Sequence, residues 1–322
     1  MEIAPLSAAQ RQSFDSDGFL LLHDVLSEAD CDQLEAMADA AMDRHAPPAG
    51  TGLENHQTQR QLRLTMGDHP EFIPVVGQPH VVSLVAQLLS PNIHLHTAAV
   101  LYKNSYIGND ASAEEIANRG GHQAVFEAES AGWHRDAGIT EDVGHAGVFR
   151  CGIKACYALT DLTSPMAGMT MFAKGSHLLD SPLPVRKNGQ PAEHEPVQPA
   201  MRRGDVCLFE NRVFHTGSVN LSDAMSKCVM IGYSYRWMGG HRSNMELVWP
   251  PYPMLSSLDP VTQQLLGGHG EAQPDLVSLV RGATEGGRLT AASAQTESAG
   301  FVWTTEVDPD ESSSSSSSSA RL

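Results

Sequence analysis

Basic residues are scarce in this chain of 322. Its 21 Lys and Arg stand against 38 Asp and Glu, a formal charge of −17. A nucleic-acid binder needs a basic footprint to displace counterions, so the balance argues against that class. An anionic membrane surface is disfavoured on the same ground. The total leaves room for a local basic pocket that takes a small anion. Long apolar runs are missing too: none reaches the roughly 18–20 residues of a spanning helix. The opening MEIAPLSAAQRQSFDSDG has no basic segment followed by an apolar one, so no secretory signal is expected. The five cysteines (Cys31, Cys151, Cys156, Cys207 and Cys228) are odd in number, scattered, and form no CxxC pair. That argues against a disulfide framework and a thiolate zinc site, and for an intracellular chain.

What is present suffices for a sizeable core, since 41% of the residues are hydrophobic and only 18% charged. Residues 7–15 read as a short helix. GFLLLHDVL follows as a strand-length apolar run, and Ser27 with Asp30 forms a capping-box pattern opening a helix that carries Leu34, Met37 and Met42. Residues 46–58 read as a loop, 81–90 as a helix and 93–103 as a strand. Segment 104–132 is polar and too long for an ordinary connection, which suggests a lid or substrate loop. Beyond 133, short β-like runs recur between turn signals, the pattern of a sandwich or barrel. Asp259-Pro260 starts a further helix. The chain ends in a Ser-rich, low-complexity segment expected to be disordered.

The 15 histidines hold the chemistry. Trp133-His134-Arg135-Asp136 is the sharpest pattern. On a strand, residues two apart share a face, so His134 and Asp136 project together. His215, 215 − 134 = 81 residues downstream at the end of an apolar run, is the best third ligand. Two histidines and a carboxylate make the facial triad that leaves open positions on Fe(II). An HxD pair alone is weak evidence, because such pairs also occur as surface ion pairs. His94 and His96 have no carboxylate at suitable spacing, and a solvated loop is the bland reading of His145. Trp133 is expected to pack beside the metal.

Four segments, in order, resemble the phytanoyl-CoA dioxygenase family of Fe(II)/2-oxoglutarate oxygenases. They are GFLLLHDVLSEADCDQL, GWHRDAG, YALTDLTSPMAGMTMFAKGSH and RRGDVCLFENRVFHTGSVNLS, and together they span most of residues 15–237. The resemblance implies a mainly β fold with flanking helices around a double-stranded β-helix, a jelly-roll relative. It implies one oxygenase-like domain over 1–304, with 305–322 as a disordered tail. His134, Asp136 and His215 would hold iron, with 2-oxoglutarate and O2 as cosubstrates, and His177 would be structural.

The distal carboxylate of 2-oxoglutarate needs a cation. The family usually supplies Arg about a dozen residues after the distal histidine; here position 227 is Lys. Lys227 is the expected anchor, with Arg236, of opposite strand parity, as its rival. Thr170 matches a hydroxyl position that supports the cosubstrate, and Ser218 is a second hydroxyl candidate. Lys103 and Lys154 lie on β-like runs, where a lysine is most often solvated. Lys154 shares a face with Cys156 on a strand that lines the pocket in the family, and so could contact cosubstrate or an anionic substrate group.

The resulting expectation is a dioxygenase that oxidises, foremost by hydroxylation, an aliphatic C–H of a small molecule, releasing succinate and CO2. Asp136 disfavours halogenation. Neither nucleic acid nor membrane is an expected partner. The acidic total favours a neutral or amine-bearing substrate over a CoA ester. A non-catalytic β-helix protein that binds a metal or small ligand is the alternative, supported by the lysine at 227. A cytoplasmic location is expected, with the peroxisome as alternative through the terminal Ala320-Arg321-Leu322, which resembles an S-K-L address.

Overall fold

The structure is a computed structural model that describes residues 3–45, 59–105, 132–136, 140–164, 167–187, 189–218, 220–238, 252–267 and 276. These lie within one compact unit, Met1–Val280. The expected lid falls, but for its ends, outside the described residues, as do the Ser-rich tail and its terminal tripeptide.

Helix α1 (Ala8–Asp17) is opened by a capping box of Ser7 and Gln10. Strand β1 (Phe19–Leu22) follows. Helix α2 (Glu28–Arg44) is capped by Ser27, with Asp30 answering the Ser27 backbone, and it buries Leu34 and Met42. Each Ser/Thr-type cap satisfies backbone donors that the first turn leaves unpaired. Strand β2 (Gln59–Arg63) had no clear signature in the sequence. Helices α3 (Ile73–Val76) and α4 (Pro79–Leu88) are both Pro-initiated, and every residue of α4 from Val81 on is buried. Strand β3 (Ile93–Lys103) is followed by the kinked helix α5 (Thr140–Gly147), then β4 (Gly152–Ala158), β5 (Thr170–Ala173), β6 (Pro196–Val197), β7 (Val206–Glu210), β8 (His215–Gly217) and β9 (Ser226–Tyr235). Helices α6 (Tyr252–Leu255) and α7 (Pro260–Leu265) come last, α7 capped by Asp259 as its Asp-Pro start suggests.

The larger antiparallel sheet has the order β1-β7-β4-β9-β3-β2, and the smaller β6-β5-β8. Long crossings between neighbours such as β4, β7 and β9 give the jelly-roll, or double-stranded β-helix, arrangement.

The two faces of the larger sheet differ. Its outer face meets the helical layer: the Tyr157 hydroxyl donates to the Val75 carbonyl at 3.3 Å and that of Tyr233 to Val76 at 2.8 Å. Its inner face carries Cys156, Cys207, Cys228 and Met230, packed with Met169 and Phe172. All five cysteines are free thiols, as expected for a chain without a disulfide framework.

Candidate active site

A cavity of about 270 Å³ opens on the inner face, walled by β3, β4 and β9 on one side and β5 and β8 on the other. At one end His134, Asp136 and His215 meet, with one ligand atom from each lying within 4.8 Å of the others. Backbone pairing places them. His134 and His215 form an isolated antiparallel bridge, each amide donating to the other's carbonyl at 3.0 Å. Residues so paired stand side by side on one face, and the two rings lie 4.3 Å apart. The Asp136 amide donates to the Asn211 carbonyl at 3.0 Å. Asn211 in turn accepts from the amides of Cys151 and Gly152, so one buried side chain ties the ligand strand to the start of β4.

Arg135, between the two ligands, must point away from them. Its guanidinium donates to the carbonyls of Ser176, Leu179 and Arg212 and lies over the Phe214 ring. Sequence reasoning passed over this clamp, although the alternation around it was the signal. Trp133 donates through Nε1 to the Gly189 carbonyl and packs near Phe214, beside the metal candidates.

The donor set fits a divalent metal. His134 Nδ1 lies 2.7 Å from the Gly132 carbonyl and His215 Nδ1 3.0 Å from that of Val213. A carbonyl accepts only, so the Nδ1 of each ring carries the proton and each Nε2 offers a lone pair. Burial holds His215 down to about 4, neutral near pH 7. Burial also works against ionisation of Asp136, but Lys154 above all, then His215, overcome it and keep the carboxyl well below the usual range. Asp136 Oδ2 is buried without a hydrogen-bond partner, 3.4 Å from His215 Nε2. An ionised oxygen left unpaired beside two imidazole lone pairs is the signature of a cation site.

The expected cosubstrate residues separate into two groups. Thr170 lines the cavity, whereas Ser218 does not: it is buried, and its hydroxyl donates to the Met169 carbonyl at 2.6 Å. Lys154 also lines the cavity, its Nζ 2.7 Å from Asp136 Oδ1. Lys227, the expected anchor, also lines the cavity, but its ammonium is engaged by carboxylates of α2, 2.9 Å from Glu35 and 2.8 Å from Asp39, and lies over the Tyr102 ring. Ser226, one residue earlier, takes the inner position, and its cross-strand partner is Lys103. Arg236 lies past the end of β9, and its amide donates to the Asn92 carbonyl.

Lys103 faces the cavity, its Nζ donating to the Ser218 carbonyl at 2.6 Å. Gly168, at φ +80°, leaves the space that Lys103 fills: a Cβ there would meet Ser226 Oγ at 2.6 Å and Lys103 Cδ at 3.3 Å. From β2, Gln61 and Arg63 reach the cavity mouth. Arg63, Lys103, Lys154 and Lys227 thus line a cavity whose single carboxylate among the described residues is Asp136.

His177, His94 and His145 are engaged away from the metal candidates. His177 Nε2 lies 3.1 Å from the Asp15 carbonyl, His94 Nε2 is 3.0 Å from Ser234 Oγ, and His145 sits beside Arg135.

Comparison with known proteins agrees with this geometry. The profile described as phytanoyl-CoA dioxygenase (PhyH) matches residues 14–228. An ectoine dioxygenase from Sphingopyxis alaskensis is 22% identical over 247 residues, covering 68% of this chain and 72% of that protein. Among solved structures, the non-heme α-ketoglutarate-dependent carbocyclase SnoK from nogalamycin biosynthesis superposes with a TM-score of 0.53 at 17% identity, over 85% of this chain and 96% of that one. HygX from Streptomyces hygroscopicus, with nickel and 2-oxoglutarate bound, gives 0.53 at 16% identity, over 76% and 94%.

Proposed function

The chain belongs to the phytanoyl-CoA dioxygenase family and is an iron- and 2-oxoglutarate-dependent dioxygenase, and from that premise we propose that it hydroxylates an aliphatic C–H of a small molecule at the His134, Asp136 and His215 cluster. The observation that carries the reading is the meeting of that donor set with a basic cavity inside a chain of charge −17.

In this reading the two Nε2 atoms and Asp136 Oδ2 hold iron. When bound, the metal couples decarboxylation of 2-oxoglutarate to succinate and CO2 with O2-dependent oxidation of the substrate. The protein supplies charge, position and dryness. Lys103 is the cation for the distal carboxylate of 2-oxoglutarate, aided by the hydroxyls of Thr170 and Ser226. It comes from β3, across the strand pair from where the family pattern expects it. A point charge on a flexible stem serves a carboxylate without the bidentate fork of arginine. With a cation on the inner face, the lysine at 227 no longer supports a non-catalytic reading.

Apolar walls from Phe209, Met169 and Met230 exclude water from the reacting end. Arg63, which lines the cavity from β2, favours a substrate carrying a carboxylate or similar anion. This amends the neutral or amine-bearing substrate inferred from total charge.

The test is a panel of small carboxylates and their amides, incubated with Fe(II), 2-oxoglutarate and 18O-labelled O2. A substrate-stimulated rise in succinate, with one labelled oxygen in a new hydroxyl, supports the reading. An oxidised product without label would replace hydroxylation by desaturation or ring closure.

A further inference from the structure

Lys154 lines the cavity, but its ammonium is engaged by one of the candidate metal ligands. Its side chain crosses the cavity floor with 21% of its surface exposed and ends 2.7 Å from Asp136 Oδ1. Lys154 is paired across β9 with Gly232, where a Cβ would sit in ordinary contact with Lys154 Cγ at 3.5 Å and would collide only with Thr97 Oγ1 at 2.5 Å.

The two oxygens of Asp136 therefore have different surroundings. Oδ1 accepts a charge-assisted hydrogen bond from Lys154, while Oδ2 is buried, has no hydrogen bond and faces His215. A carboxylate free to turn can offer one oxygen or two to a cation. Two histidines and a single carboxylate oxygen would leave a bound metal open positions for its cosubstrates, and a second carboxylate oxygen would take one of them. We infer that Lys154 is a positioning residue that holds Asp136 Oδ1 away from the metal, so that Asp136 offers Oδ2 alone. This rests on the metal-centre reading above. It also assigns Lys154 to the carboxylate ligand and not to cosubstrate or substrate.

A simpler role for Lys154 would be to neutralise Asp136 before metal arrives. The two roles predict opposite signs. If Lys154 only neutralises, removing its charge beside a dication tightens metal binding. If it positions the ligand, removing it weakens binding, by about 10–100-fold as for other outer-shell partners of metal ligands.

The experiment is an anaerobic Co(II) titration of the full chain, wild-type against Lys154→Met and Lys154→Arg, with the d–d absorption recorded before and after adding 2-oxoglutarate. The expected result is a Co(II) Kd raised about 10–100-fold in Lys154→Met, a changed d–d band in its 2-oxoglutarate complex, and recovery of both in Lys154→Arg. Equal or tighter binding in Lys154→Met overturns the inference, whatever the spectrum. The apoprotein Tm checks folding. Should the Met variant not fold, the uncharged Lys154→Gln is read by the same sign. Failure of the wild-type to bind Co(II) would overturn the metal-centre reading itself, a different outcome from an unchanged variant.

Discussion

Two lysines sit almost side by side on neighbouring strands and lead different lives. Lys227 pairs in register with Tyr102, Lys103 with Ser226, and one step along the strand separates the outer face from the inner. On the outer face Lys227 meets Glu35 and Asp39 from an acidic helix and is neutralised there. On the inner face Lys103 sits in a cavity whose one carboxylate among the described residues is Asp136. The formal charge of −17 therefore does not carry over to the described lining of the site. The excess acid is spent outside, against residues such as Lys227 and Arg203, which alone contacts Glu28, Asp32 and Glu35.

The largest effect expected from breaking this division is at its chemical end. Asp136→Ala removes the only acid among the described residues of the cavity and should abolish iron-dependent succinate formation while the apoprotein Tm changes little. Retained turnover in that variant would remove the facial triad.

The next effect separates the two lysines directly. Lys103→Met should weaken 2-oxoglutarate binding roughly tenfold to over a hundredfold, because a charge-assisted hydrogen bond is worth ~1.5–3 kcal/mol. Lys227→Met should leave that affinity unchanged. Isothermal titration of the Co(II)-loaded protein reads both, and the reverse pattern would put the anchor back on β9. Gly168→Ala tests the same inner wall more gently. It strains a positive-φ position by about 1–2 kcal/mol and presses on the Lys103 stem, so a lower Tm should come with weaker 2-oxoglutarate binding.

The smallest effect belongs to the outer cluster. Burial works against ionisation of Asp39, but its hydrogen bonds from Lys227 and Tyr102 outweigh it and hold the carboxyl below its ordinary 3.8. Burial likewise opposes charge on Lys227, yet Asp39 and Glu35 hold the ammonium above its ordinary 10.5. The Asp39 contribution is complete above the unfolded value and is lost as pH falls through the depressed folded one. The Lys227 contribution is complete below the unfolded value and is lost as pH rises through the raised one. The cluster thus stabilises fully between 3.8 and 10.5. Lys227→Met should cost about 1 kcal/mol in that window, since the pair is partly solvated. Tm measured against pH should show the deficit shrinking at either extreme.

Much of this was legible from short-range pattern. The capping box at Ser27 and the N-cap at Asp259 sit where the residues place them, because a cap is decided within four residues. The HxD spacing fixes a shared face for His134 and Asp136 without any knowledge of the fold. Lys227 was not legible. Its side depends on the parity of β9, and a spacing of about a dozen from His215 cannot tell odd from even. The irregularity between Leu95 and Thr97 in β3 further uncouples one end of the β3–β9 pair from the other. Strand β2 was missed because Gln-Arg-Gln-Leu-Arg carries a single apolar residue; its inward side chains, Gln61 and Arg63, are polar for the same reason that they serve a cavity mouth. Arg135 and Asn211 act through backbone carbonyls and amides, which no sequence motif announces.

The reciprocal amide pair of His134 and His215 makes the centre its own gauge of occupancy. Those two amide protons exchange with solvent only when the bridge between strands parts, and parting it separates the ligands. A cation that binds the closed form alone taxes every opening by RT ln(1 + [metal]/Kd), ~2.7 kcal/mol at a hundredfold excess over Kd. Deuterium uptake at these two positions should therefore slow about a hundredfold on loading, while amides in the middle of β4 keep their pace. Metal occupancy then becomes readable residue by residue, in the resting protein, before any substrate is known.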